Sequence, residues 1–86
     1  MKSDSLEEGK VYTATQLADL ARKLREDAGD TQEDVAVELE VDQAVVSKAE
    51  KGERKYRLTC VRMVELYTRF SVEYPLYRLS SKKKRD

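Results

Sequence analysis

The stretch TQEDVAVELEVDQAVVSKAEKG, residues 31–52, decides the fold. It reads as two short helices joined by a tight turn. Val35, Ala36 and Leu39 recur at helical spacing, and so do Val45, Val46 and Ala49. Between the two sets, Glu40, Val41 and Asp42 leave room only for a sharp corner. Thr31 can cap the first helix, with Asp34 three residues on in place of a capping-box Glu. Asp42 can cap the second, and Val41 before it can pack on Val46 as a hydrophobic staple. Gly52 suits the stop, because a left-handed residue after a helix costs glycine nothing.

These residues resemble the helix-turn-helix of the Cro and lambda-repressor-like (XRE-type) family. The matching positions are Gln32 opening the first helix, Ala36 at the tight helix crossing and Val41 in the turn. Gln43 opening the second helix, Val46 as its anchor, Ser47, Glu50 and Gly52 complete the set. In that family the second helix lies in the DNA major groove and its first residues touch base edges. The resemblance implies that geometry here; periodicity by itself gives only a helical hairpin. Three departures stand out. Glu40 occupies a position usually held by Gly, where positive φ costs another residue on the order of 1 kcal/mol. Ala49 replaces a larger apolar anchor. Asp42 and Ala44 replace polar residues that would face the groove.

Working outward, 86 residues make one small domain, of the size that buries roughly 60% of its unfolded surface and gains from oligomerisation. With 40% charged residues and a mean hydropathy of −0.76, the chain is expected to be soluble. No apolar run approaches the ~20 residues of a membrane helix. The acidic, polar start MKSDSLEEGK is not that of a signal peptide. One cysteine, Cys60, cannot form an internal disulfide, and with no histidine a Cys/His zinc site is excluded. These features lead us to expect a cytoplasmic, nucleoid-associated protein of bacterial or phage origin, without cofactor or metal.

Net charge is zero, yet it is unevenly divided. Residues 1–46 carry five basic and twelve acidic side chains, a balance of −7; residues 47–86 carry twelve and five, a balance of +7. Such asymmetry points to a polyanion-facing side, set against the plainer reading of a tail and a solvated face. The basic half begins on the second helix of the hairpin.

Residues 1–10 lack apolar periodicity and are expected to be flexible. Residues 11–71 form the helix-turn-helix domain. Thr13 and Gln16 make a capping box, with Tyr12 placed to staple onto Leu17. Leu17, Leu20, Ala21, Leu24 and Ala28 fall on one face of a helix over 14–28, which Gly29 ends. Residues 53–57, ERKYR, read as a polar basic loop. Leu58 and Thr59 open a further helix, with Thr59 as its cap. Val61, Met63, Val64, Leu66, Tyr67 and Phe70 give that helix a wide apolar face, enough to close the core and meet a second subunit. Residues 72–80 change to a period of two around Pro75, which allows an edge strand at most. They are expected to form a strand or extended arm that pairs with residues 11–13 or with its own copy in a dimer. Residues 81–86 form a basic flexible tail, either solvated or touching phosphate. The fold class expected is therefore all-α: four to five elements around the helix-turn-helix, with room for a short terminal strand or arm.

No enzyme constellation is visible: there is no histidine, no Gly-rich phosphate loop and no paired-carboxylate motif. DNA chemistry fares better. Gln32 stands at a helix N-terminus, whose free N–H groups suit a phosphate, and family members use it so. Gln43, Ala44, Ser47, Lys48 and Lys51 lie opposite the apolar Val45, Val46 and Ala49. Gln43 can make the paired hydrogen bonds that favour adenine, and Ala44 can touch a thymine methyl. Ser47 and Lys48 can reach bases or phosphates. Lys51, Arg54 and Lys55 position the domain on the backbone, and Arg57 is open between that role and a solvated one. The family pairs an Arg at the place of Arg25 with the Glu corresponding to Glu50, so a structural ion pair is expected between them.

The leading functional expectation is a sequence-specific DNA-binding regulator, a repressor, acting as a homodimer on double-stranded DNA. An antitoxin that binds both operator and toxin is a second form of it. The alternative class is a protein-interaction module that kept the fold without reading bases, which the departures at Glu40, Asp42, Ala44 and Ala49 and the acidic half favour.

Overall fold

The computed structural model describes residues 6, 8–73 and 78–82. Helix α1 (Ala14–Asp27) starts where Thr13 and Gln16 exchange side-chain and backbone hydrogen bonds. It buries Leu17, Ala18, Ala21 and Leu24, four positions at helical spacing. Ala28 follows it as an exposed cap instead of joining that stripe. Helix α2 (Gln32–Leu39) begins with a reciprocal box between Thr31 and Asp34 and buries Val35, Ala36 and Leu39. Glu40 ends it in the left-handed region at φ 61°.

Helix α3 (Gln43–Glu50) follows at once and buries Val46, Ala49 and Glu50. Asp42 occupies its N-cap with extended backbone, but its side chain makes no capping hydrogen bond there, contrary to expectation. Gly52, at φ 83°, turns the chain away; a Cβ there would lie 3.9 Å from the Ala18 side chain. The expected polar loop contains a 3-10 turn, Arg54–Tyr56, and helix α4 (Arg57–Tyr67) starts directly after it. Thr59 is thus not a cap: it sits inside the first turn of α4 and is buried. A run of three turn residues leading straight into a helix leaves no separate cap to be made.

Strands β1 (Phe70–Glu73) and β2 (Arg78–Ser81) form an antiparallel hairpin, with Val72 opposite Leu79 and Phe70 opposite Ser81. The fold is therefore four helices with a small sheet at the C-terminal end. The partner of β1 is β2 of the same chain, and it is β2 that reaches the N-terminal segment, at Gly9 and Lys10 next to the expected residues 11–13. Tyr74, Pro75 and Leu76, on which the period-two reading partly rested, lie outside the described residues, as do residues 1–5, 7 and 83–86.

Leu79 explains why this hairpin stays on the domain. Its side chain is fully buried, and its backbone turns away from β1 to bond with Lys10 and Gly9 at 3.0 and 2.6 Å. Gly9 and Lys10 are thus tied to the sheet despite the expectation of a flexible N-terminus. Val72, opposite Leu79, is buried with it, and its backbone N–H donates to the Glu65 carboxylate at 2.9 Å. Leu17, Val35, Val46, Met63, Val64 and Leu79 form the innermost core, one or more from every helix and one from the sheet.

Two braces hold the helices in place. Arg62 on α4 donates to the Leu39 carbonyl at 2.9 Å, satisfying an orphan acceptor at the end of α2. Tyr67 at the end of α4 donates to Asp30 at 2.6 Å, tying α4 to the α1–α2 corner. Burial and the Asp30 carboxylate push the Tyr67 hydroxyl well above its ordinary pKa.

Candidate nucleic-acid interface

Helix α3 is positioned from beneath. Val46 and Ala49 are completely buried, and burying a valine is worth about 1.5–3 kcal/mol. Glu50 turns the C-terminal end of the helix inward to meet Arg25 of α1. The contact is a fork: Arg25 Nε donates to Glu50 Oε2 at 2.6 Å, and Nη2 donates to Oε1 at 2.9 Å. The remaining Arg25 nitrogen donates to the Asp30 carbonyl at 2.9 Å. The side chains are only 11% and 4% exposed. Such two-pronged pairs fix direction as well as distance. The hydrogen bond to Glu50 holds the Arg25 guanidinium more firmly protonated than usual.

The fork continues to the surface. Gln32, the first residue of α2, donates to Glu50 Oε1 at 3.0 Å and accepts from the amide of Gln43, the first residue of α3. A continuous chain Arg25–Glu50–Gln32–Gln43 therefore links α1, α3 and α2. It ends on an exposed glutamine whose amide orientation is set by buried charge.

Past Gln43, Ala44 is exposed and Ser47 half-buried. Lys48 is exposed, with its ammonium 5.6 Å from the centre of the Tyr56 ring. Lys55, on the 3-10 turn, lies 5.9 Å from the same ring. Lys51 caps α3, and Arg54 opens the 3-10 turn; both are exposed. Among the described residues these two make no hydrogen bond or ion pair with side chains of the glutamine network. Arg57 is the first residue of α4 and half-buried, with its Nε shielded and unpartnered among the described residues. At the opposite end of α3 the exposed Asp42 places one carboxylate beside Gln43.

Tyr56, Asp30 and Tyr67 were not singled out as functional residues from the sequence. Tyr56 lies eight residues from Lys48 across a helix end and a turn, so no single period links them. Cys60 does not belong to this surface. It is buried, donates to the Ala49 carbonyl at 3.1 Å, and burial pushes its pKa up to about 11. That leaves a protonated thiol of little nucleophilicity at neutral pH. Among the described residues, no group of His, Cys, Asp and Glu is placed to hold a metal ion, and no helix is long and apolar enough to cross a membrane.

A family model described as a helix-turn-helix domain matches residues 16–67, from the first turn of α1 to the end of α4. No curated protein and no solved structure matches the chain.

Proposed function

The chain belongs to the helix-turn-helix domain family, and we propose that it is a sequence-specific, double-stranded DNA-binding regulator of the XRE type that represses transcription as a homodimer. The observation that carries this reading is the hydrogen-bonded chain ending at Gln43. Gln32 engages one N–H of the Gln43 amide. The other N–H and the carbonyl remain to meet adenine N7 and N6–H, a donor–acceptor pair that only the major groove displays. Ala44 beside it offers a methyl contact to thymine, and Ser47 a hydroxyl to either partner. Gln32 adds a donor next to the α2 N-terminus, where a phosphate is favoured. Lys51, Arg54 and Lys55 supply contacts to the backbone that fix register without reading sequence.

Size supports a dimer. The described residues extend over 31 × 26 × 25 Å, about one turn of duplex, and half-sites one turn apart are spaced roughly 34–36 Å. One domain reads one half-site; a second, related by a two-fold axis, reads the other. The exposed Leu58 and Leu66 on α4, on one stripe with Arg62, offer apolar surface for that contact. A reducing compartment suits the free, buried Cys60.

The test is binding of wild type, Gln43→Ala and Lys55→Ala to duplexes enriched from a random pool and to a scrambled duplex. Gln43→Ala is expected to weaken the enriched duplex by about 1–3 kcal/mol and the scrambled one little. Lys55→Ala is expected to weaken both and flatten the salt dependence. If neither change alters binding to any duplex, the reading is wrong.

A further inference from the structure

We infer that Lys48, though on the outer face of α3, serves the DNA backbone and not the bases, because Tyr56 gathers it with Lys55 into a two-ammonium site for one phosphodiester. The inference rests on the DNA-binding reading and assigns a division of labour within it. Tyr56 is half-buried and packs against the core. Its ring is therefore a fixed object, unlike the side chains around it. The Lys48 and Lys55 ammonium groups lie 5.6 and 5.9 Å from its centre. The negative face of an aromatic ring attracts a cation at such distances.

Among the described residues neither lysine has a carboxylate partner. Two like charges held around one ring repel each other, and an anion between them relieves that repulsion. Each ammonium brings three donors, which suits the non-bridging oxygens of a phosphate. Position agrees. Lys48 is the sixth residue of α3, whereas bases are read from the first residues of a recognition helix. Tyr56 follows α3 in the chain, on the 3-10 turn, and its ring is what the Lys48 ammonium lies against. Base reading is then confined to Gln43, Ala44 and Ser47.

The experiment uses the full chain as wild type, Lys48→Met, Tyr56→Leu and Tyr56→Phe. Leucine preserves packing on the core while removing the ring face; phenylalanine preserves both. Binding to an enriched and a scrambled duplex is followed by fluorescence anisotropy over a salt series. Lys48→Met is expected to weaken both duplexes by the same factor, and to lower the salt slope by less than the ~0.9 of one whole neutralised phosphate, because Lys55 still faces that phosphate. Tyr56→Phe should match wild type. Tyr56→Leu should weaken both duplexes while leaving their ratio within about twofold. A Lys48→Met protein whose preference for the enriched duplex falls tenfold or more has lost a base contact, and the inference is overturned. A second readout needs no DNA: the ring should shift the Lys48 ε-methylene protons upfield in wild type and Tyr56→Phe, but not in Tyr56→Leu. Unshifted protons in wild type overturn the lysine platform even if DNA binds. A wild type that shows the shift but binds no duplex overturns the DNA reading, and the phosphodiester with it.

Discussion

Replacing Glu50 by alanine removes the centre of the network beneath α3. The change deletes both prongs of the Arg25 fork and the acceptor of the Gln32 amide, three hydrogen bonds in all. Arg25 is left as a guanidinium 11% exposed, with the Asp30 carbonyl its remaining hydrogen-bond acceptor. Breaking a buried pair from one side costs about 3–5 kcal/mol, chiefly because the surviving charge is poorly solvated. Arg25 lies near enough to the surface to recover some water, so the lower figure applies. A domain of 86 residues has about 4–13 kcal/mol of stability in total. Losing about 3 kcal/mol lowers the melting temperature by roughly 12–24 °C at this size. Thermal and urea melts followed by circular dichroism measure it. Arg25→Met in the same background separates charge burial from packing. The double variant should be more stable than the two single losses predict, by about 1 kcal/mol or more, because no guanidinium is then left with only the Asp30 carbonyl and the exposed Glu26 carboxylate, 3.9 Å away, to hold it. A Glu50→Ala protein that melts within about 3 °C of wild type, or a strictly additive double variant, would refute the reasoning.

Three further outcomes are expected. Glu40→Gly relieves a residue held at φ 61° and should raise the melting temperature by about 4–8 °C, the equivalent of about 1 kcal/mol. Asp42→Asn keeps a good N-cap residue but removes the one carboxylate beside Gln43. Binding to any duplex at low salt should tighten by about twofold or more, read by anisotropy. Cys60 is raised to about 11 in the folded protein from an ordinary value near 9. The folded state therefore holds its proton more tightly than the unfolded chain does. Its contribution to stability is complete below pH 9 and is lost as pH rises from 9 towards 11. Urea melts across that range should show the decline, and Cys60→Ala should make it shallower.

The helical part of this fold was legible because each element announces itself twice. Thr13 with Gln16 and Thr31 with Asp34 mark helix starts, and the periods that follow them match the buried residues of α1 and α2. The left-handed conformation at Glu40 was foreseeable from the resemblance, which places Glu40 where the family usually has glycine. The start of α4 was not. Arg54, Lys55 and Tyr56 have the composition of a loop and become a 3-10 turn because α4 must begin immediately to bring Met63 and Val64 over the core. The hairpin was half legible. A strand was expected from Val72 onward, but Phe70, read as part of the helix, opens β1, and nothing local says that Val72 pairs with Leu79, since the pairing is decided by the burial of both. At the site, the resemblance pointed to the outer face of α3 and to Arg25 with Glu50. It did not reveal that Lys48 lies against Tyr56, because that contact spans two elements whose relative placement is a tertiary fact.

The account stands on Gln43 reading a base pair in the major groove. Duplexes selected from a random pool by wild type and by Gln43→Lys test this directly, because lysine in place of glutamine exchanges an adenine preference for guanine. The two enriched motifs should be identical except at one symmetry-related pair of positions, where adenine gives way to guanine. Identical motifs from both proteins, or no motif from the wild type, would contradict it.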